Sequence, residues 1–506
     1  MEPPPNSGLS KLKEIVENIS TTPGLTRTEN PIVLVPGFTG FGEPIFGSIN
    51  YWGGFEDLAA ALQTHTGVPV ILPRIGPISS NWERACELYC QLREIQRTGT
   101  DNGFDTRSTP TPSSIAVDYG RYIDLPPDTA RTTKRAVVLG QLEPEWTWTE
   151  AHPVHMICHS QGGNTVRLLI ELLSGRHAAQ HPRYFPSGSN QQALVKSVVT
   201  LGTPYRGTTI TSVIFDQILR DVHVNEVITR LVVSSALHPT RFLDLQLEHW
   251  GFAPQAAGES FIAMHNRLEA PILAWWNSDN NGIKDNGPDG IARLNRDFNP
   301  QPSPQTYYFT LSFDATRPFP TLNFSPANLQ SFPVHGALSL WGFGFPGLLG
   351  DISASVGSFL SSAAHSVLNA IPGNPSDAEY ARWLVEVANN QARALGYQFR
   401  LPRPGGRIPR PDMLPLLSLF SLGMSGVCDS RLSGPSEQND GFIDTVSMRG
   451  PDEGGGPVRD DIGSFSTAAL GENKGVYWHL GVTEGIDHAD EVGVFTVKET
   501  VRMPHK

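Results

Sequence analysis

Ser160 stands in the run Val154-His155-Met156-Ile157-Cys158-His159-Ser160-Gln161-Gly162-Gly163, at the point where one periodicity gives way to another. Val154 to Cys158 is an apolar, β-type stretch, and Asn164 to Ile170 has helical spacing. A strand, a sharp turn and a helix in that order hold a hydroxyl at the tip of a strained bend, open to a substrate and to a base. Gly162 lets the helix approach the strand, where a side chain would collide. The general pattern is G-x-S-x-G, and here Cys158 replaces its first glycine. A serine used this way needs a base, an acid to orient that base, and backbone N–H groups for the developing oxyanion.

Candidates for all three lie in the expected chain order of serine, acid and histidine. Far downstream is Gln438-Asn439-Asp440-Gly441-Phe442-Ile443, followed by Glu484-Gly485-Ile486-Asp487-His488-Ala489-Asp490 just beyond a strand-like run. An Asp-Gly pair alone is ordinarily a plain turn, and a loop histidine ordinarily a surface residue. Their order and their placement after strands favour Asp440 as the acid and His488 as the base, with Asp429 and Asp487 as alternative acids. Upstream, the apolar run Pro31 to Val35 opens into Pro36-Gly37-Phe38-Thr39-Gly40-Phe41-Gly42. Such a glycine-rich loop aims one amide at an oxyanion, and the residue after the serine, Gln161, aims the other. Phosphate binding is the competing use of a glycine-rich loop, but no G-x-x-x-x-G-K-[ST] pattern is present.

With these blocks in view, the sequence resembles the bacterial lipases of the staphylococcal and thermophilic-bacillus type. The resemblance is carried by residues 31–40, Tyr51-Trp52-Gly53-Gly54, Ser80-Asn81-Trp82-Glu83-Arg84-Ala85-Cys86-Glu87-Leu88-Tyr89 and His159-Ser160-Gln161-Gly162-Gly163. It continues through Gly202-Thr203-Pro204-Tyr205-Arg206-Gly207-Thr208, residues 243–251, Asn439-Asp440-Gly441 and Asp487-His488. It implies an α/β-hydrolase fold with Ser160 as nucleophile, Asp440 as orienting acid and His488 as general base. It also implies the backbone amides of Phe38 and Gln161 as the oxyanion hole.

Metal sites are where the sequence departs from that family. Its zinc site uses two aspartates and two histidines; Glu83 and Glu248 stand at the matching acidic positions, and no histidine occurs from Leu92 to Glu150. Zinc prefers nitrogen and sulfur ligands in a closed tetrahedron, so no structural zinc and no cofactor is expected. Cys86 and Cys90, at i and i+4, read as packed residues of one helix face. For the family's calcium site, Asp490 matches one carboxylate, but Phe495 stands where another acid belongs. Calcium wants six to eight oxygens, which leaves that site open. The acidic stretch Asp279 to Gly290 lacks calcium-loop spacing and reads as a solvated, inserted turn.

The elements that would position the chemistry are strands at 31–36, 68–73, 154–159, 196–201, 306–313 and 476–482, alternating with helices. That alternation predicts an α/β fold, a mostly parallel central sheet with helices on both faces. Residues 1–30 form an N-terminal extension with an amphipathic helix around Leu12, Ile15, Val16 and Ile19. Residues 31–506 form one catalytic domain with a lid region about 207–250 and insertions about 94–150 and 340–412. Within the lid region, Ile210, Val213, Ile214, Ile218 and Leu219 share a helical face, giving transient contact with a lipid interface. Ser376-Asp377-Ala378-Glu379 is a capping box that opens a helix through Leu395.

Composition narrows the partners. Of 506 residues 17% are charged, and the net charge of −12 excludes a basic face for nucleic acid. No apolar run reaches the about 18 residues of a transmembrane helix. Cys86, Cys90, Cys158 and Cys428 make no disulfide framework. Met1 to Pro5 lacks a basic start and an apolar core, so the chain either stays inside the cell, the slightly favoured reading, or begins after a removed leader, as export of the resembled lipases would require. The expected activity is carboxylic ester hydrolysis on a lipid or ester substrate, foremost as a triacylglycerol lipase. An acyltransferase, an esterase of small soluble esters and an inactive binding scaffold are the alternatives, because a triad does not fix a substrate.

Overall fold

A computed structural model describes residues 8–20, 28–40, 49–95, 103–106, 113–120, 131–178, 185, 189–214, 245–318, 406–410, 413, 415–425, 432, 437–452 and 454–493. The predicted lid helix beyond Ile214, the Ser376–Leu395 helix, Asp429, Cys428 and Phe495 lie outside these residues.

Twelve strands are described: β1 Ile32–Val35, β2 Val70–Leu72, β3 Ser114–Ala116, β4 Thr132–Lys134, β5 Val137–Leu139, β6 Val154–His159, β7 Val195–Leu201, β8 Tyr307–Asp314, β9 Thr316–Pro318, β10 Arg407–Pro409, β11 Val458–Arg459 and β12 Tyr477–Glu484. Eight form the main sheet in the order β11-β12-β8-β7-β6-β1-β2-β5, and two small antiparallel pairs, β3·β4 and β9·β10, stand apart. Every pairing in the main sheet is parallel except β2 with β5 at its edge. The all-apolar Ile-Val-Leu-Val of β1 follows from this place, because a central parallel strand is covered on both faces. In register, Val35 of β1 lies opposite Cys158 of β6, and His159 opposite Leu201 of β7. The residues that leave the carboxyl ends of β1, β6 and β7 therefore meet at one rim, where α/β sheets place their ligands.

The predicted core strands are all present, to within two residues at each end. Two features differ from the sequence reading. The insertion about 94–150 contains the antiparallel pair β3·β4, whose three-residue strands are too short to leave a period-2 signature. Residues 279–290 are not a solvated turn. Asn281 caps the short helix Gly282–Asp285, Pro288 opens the helix Pro288–Phe298, and Gly282, Ile283, Asp285, Asn286 and Gly290 are buried. Asp285 earned its place in the interior by accepting from the Asn81 amide at 2.7 Å and pairing with Arg293 at 3.5 Å.

Four of the described helices pack around the sheet. Helix α1 (Gly8–Ser20) lays Leu12 and Ile15 on the cluster of Ile462, Val476, Trp478 and Leu480, so it is docked on β12. Helix α2 (Leu58–Thr66) packs on β2. Helix α3 (Asn81–Arg93) starts with a complete capping box, Ser80 with Glu83, and is buried from Asn81 to Leu92. Such burial is tolerable only because its polar side chains are paired: Glu87 accepts from Tyr119 Oη at 2.6 Å, and Gln91 donates to Thr133 at 2.8 Å. Cys86 and Cys90 are buried free thiols on it, as their spacing predicts. Helix α4 (Gln161–Leu173) is buried along its whole length and begins immediately after Ser160. Among the described residues no helix is long and apolar enough to cross a membrane.

Candidate active site

Ser160 takes φ 53° and ψ −127°, a conformation costly to a residue with a Cβ, and it persists because its surroundings fix it. Its amide donates to Leu201 O at 2.8 Å, and its carbonyl accepts from Thr203 Oγ1 at 2.9 Å. The glycines around it are required by contact rather than by turn chemistry. A Cβ on Gly162 would stand 2.6 Å from Val35 O and 2.7 Å from Pro36 O, and one on Gly37 would stand 2.6 Å from Ser160 Cβ. The elbow and the glycine-rich loop are thus in direct contact.

That loop is held from below by Arg84, which is fully buried. Its guanidinium donates to Gly76 O at 2.9 Å, to Gly37 O at 3.3 Å and to Pro36 O, and its Nε donates to Thr165 Oγ1. Thr39, at φ 57°, donates its amide to Pro77 O at 2.7 Å, and the Gly37 amide donates to Tyr51 Oη at 2.8 Å. These bonds fix the backbone on both sides of Phe38. Gln161 is the first residue of α4, and its side chain donates to Ser79 O at 2.9 Å. Phe38, Ser160 and Gln161 line one small cleft together with Ile210, Ile283, Asn286 and Phe442. The residues misread as a solvated turn therefore form one of its walls.

His488 sits beside the cleft, stacked on Phe442 with ring centres 5.1 Å apart and tilted against His159 at 4.5 Å. Its Nδ1 is 2.7 Å from Asp440 Oδ2, and its amide donates to Asp440 O at 2.9 Å. The other carboxylate oxygen of Asp440 accepts from the amides of Phe442 at 2.7 Å and Ile443 at 2.6 Å. Burial alone would raise the Asp440 pKa, but His488, with Glu491 and the Ile443 amide, outweighs it, and the value falls below the ordinary aspartate one. His488 is the mirror case: burial opposes its charged form, and the Asp440 carboxylate outweighs burial and raises its pKa. Asp487, the alternative acid, spends Oδ1 on the amides of Ala489 and Asp490 at 3.0 and 2.9 Å, so it caps the loop behind His488.

The two acids that match the zinc site are engaged with protein groups. Glu83 gives Oε2 to the Ser80 amide at 2.9 Å and Oε1 to Trp250 Nε1 at 2.9 Å. Glu248 is partly exposed and faces Lys134 at 3.9 Å. His249 pairs with Glu87 at 3.1 Å instead of turning to either. Among the described residues, the side chains gathered closely enough for a metal are His159, His488 and Glu491. Glu491 and His159, together with Arg84 and Tyr51, are members of this site that sequence reasoning passed over.

Fold and site define an α/β protein with a serine at a strand-to-helix elbow and a carboxylate–histidine pair at the same sheet rim. A family model described as "Lipase-like, C-terminal domain" matches residues 140–332. The lipase of Staphylococcus hyicus is 28% identical over 319 residues, covering 60% of this chain and 42% of that protein. Lipase 1 of Staphylococcus aureus is 27% identical over 348 residues, covering 65% of this chain and 45% of that protein. The chain thus spans less than half the length of these curated relatives. Among solved structures, EstA from Clostridium botulinum has a TM-score of 0.56 at 20% identity, covering 94% of this chain and 86% of that one. The Staphylococcus hyicus lipase structure has a TM-score of 0.55 at 20% identity, covering 94% and 91%. The chain is similar to the staphylococcal lipases in sequence, as its motifs predict, and it has the fold of bacterial lipases.

Proposed function

We propose that this chain is a serine carboxylic ester hydrolase of α/β-hydrolase fold, acting on lipid esters. The observation that carries the proposal is the 2.7 Å contact between Asp440 and His488 Nδ1 at the rim that holds the strained Ser160. Asp440 keeps the ring proton on Nδ1, an assignment made from hydrogen bonding, and leaves Nε2 as the base. His488 Nε2 takes the proton of Ser160 as Oγ attacks the ester carbonyl, and the oxyanion forms toward the amides of Phe38 and Gln161. His488 then protonates the leaving alcohol, and water releases the acyl group by the same steps reversed. Phe38, Ile210, Ile283 and Phe442 give the cleft an apolar wall suited to an acyl chain. A lid over this cleft, in the region about 207–250, is part of the proposal.

Turnover of p-nitrophenyl esters of rising acyl length, measured beside an emulsified triglyceride, tests the substrate class. A rate that rises with acyl length and extends to the emulsion is expected. A protein that cleaves only acetyl and propionyl esters is an esterase of small substrates, and one that forms a new ester when an alcohol is added is a transferase. Ser160→Ala is expected to lose both turnover and labelling by a fluorophosphonate, and an alanine variant with a tenth of wild-type activity would rule Ser160 out.

A further inference from the structure

Glu491 lies in the turn after His488, and its side chain is fully buried. One carboxyl oxygen is 3.1 Å from His159 Nε2 and the other is 3.6 Å from His488 Nδ1. The carboxyl also acts on Asp440. It occupies the space above Gly202, where a Cβ would stand 2.1 Å from a Glu491 oxygen. On its far side, His159 Nδ1 is 2.5 Å from Tyr51 Oη, which accepts the Gly37 amide at 2.8 Å. An unbroken file of polar groups therefore runs from the acid–base pair to the loop that carries Phe38.

The buried carboxyl is costly as a packing element. His159 Nε2 and both Glu491 oxygens are enclosed without a well-aligned hydrogen-bond partner, and an apolar side chain of similar volume would be cheaper there. Close but poorly aligned contacts are what a site holds before substrate tightens it. Proton placement is consistent throughout. Burial, with His488 nearby, holds the His159 pKa well below the ordinary value, so its ring is neutral. Burial, with Asp440 nearby, holds the Glu491 pKa well above the ordinary value, so it keeps its proton. Tyr51 then donates to His159 Nδ1, His159 Nε2–H faces one Glu491 oxygen, and the Glu491 hydroxyl faces the Asp440 carboxylate. A cation among His159, His488 and Glu491, whose ligand atoms lie within 4.8 Å of one another, would instead compete for the Nδ1 proton that Asp440 holds.

We infer that Glu491 is a positioning residue that holds the Asp440–His488 pair and joins it, through His159 and Tyr51, to the oxyanion loop. The inference rests on the proposed serine-hydrolase reading. Glu491 touches neither substrate nor Ser160 in it and acts through His488. Its neutral carboxyl should be replaceable by an amide, which offers a donor to Asp440 and an acceptor to His159, but not by a hydrocarbon.

The test compares wild type, Glu491→Gln and Glu491→Leu on one soluble p-nitrophenyl ester, with thermal midpoints and fluorophosphonate labelling rates. In Glu491→Leu, kcat should fall about tenfold to a hundredfold, the effect of a slightly misplaced base, with KM within about twofold. Its thermal midpoint should fall by only a few degrees, since His159 and Asp440 lose a partner that was poorly aligned. Glu491→Gln should stay within about threefold of wild type. A leucine variant with wild-type kcat overturns the inference, and so does a glutamine variant that falls as far as leucine. A wild type that fluorophosphonate does not label at Ser160 overturns the hydrolase reading itself, a failure visible before either variant is made.

Discussion

Replacing Asp440 by asparagine changes a single atom's character and should stop the chemistry without unfolding the chain. One Asp440 oxygen accepts from the amides of Phe442 and Ile443, and the other faces His488 Nδ1 at 2.7 Å. An asparagine satisfies the two amides with its carbonyl oxygen, which turns its NH2 toward His488. That donor demands a lone pair on Nδ1 and moves the ring proton to Nε2, the atom that must accept the proton of Ser160. Loss of the correct tautomer costs about 10⁴ in kcat, or about 5.5 kcal/mol of transition-state stabilisation. The assay is kcat and KM for a soluble p-nitrophenyl ester near pH 8, with the thermal midpoint as a check on folding. KM and the midpoint should stay near wild type. Asp487→Asn is the control, since its Oδ1 accepts the Ala489 and Asp490 amides and caps the loop. An Asp440→Asn protein within tenfold of wild type, or an Asp487→Asn protein that loses more, would refute the assignment.

The acid limb of the kcat/KM profile should lie above the ordinary histidine value of about 6.5, because the Asp440 carboxylate outweighs burial and raises the His488 pKa; a limb at or below pH 6 contradicts this. Gly162→Ala places a Cβ 2.6 Å from Val35 O and 2.7 Å from Pro36 O, both backbone. It should cost about 1–3 kcal/mol of stability and lower kcat by shifting Ser160, and an unchanged melting curve would show that the elbow has slack. Glu83→Gln tests the buried acid on α3. Burial, with Glu87 adding, pushes the Glu83 pKa up to about 8, so the folded state keeps a proton that the unfolded chain releases. Its stabilising contribution is full below the ordinary glutamate value and is lost as pH rises through about 8. Glutamine does not titrate, so the variant's thermal midpoint should gain on wild type from pH 5 to pH 9, and a constant difference would contradict this.

The parts of the site that rest on local pattern were legible in the sequence. The apolar run of β1, the change of period at Ser160 and the glycine at 162 each have a steric or periodic cause within ten residues. Asp440 and His488 were legible through their order along the chain, and their contact is a tertiary fact. What the sequence could not supply is pairing across hundreds of residues. Glu491 reads as one acid in an acidic tail, and its meeting with His159 is made only by the sheet. Arg84 has backbone carbonyls at 36, 37 and 76 as partners, which carry no sequence signal. Residues 279–290 misled for the related reason that Asp, Asn and Gly serve solvated turns and buried caps alike.

The order of strands in the main sheet also bears on synthesis. Phe38, Ser160 and Gln161 are complete once β1, β2 and β6 have formed, whereas Asp440 and His488 belong to the far edge, where β12 is laid on β8 and β8 on β7. Chains fold from the amino end as they emerge from the ribosome. A chain released after β7 would carry Ser160 without Asp440 and His488. On the proposed reading, truncated or stalled products would lack Asp440 and His488 and be silent toward esters, and the far edge of the sheet completes the site.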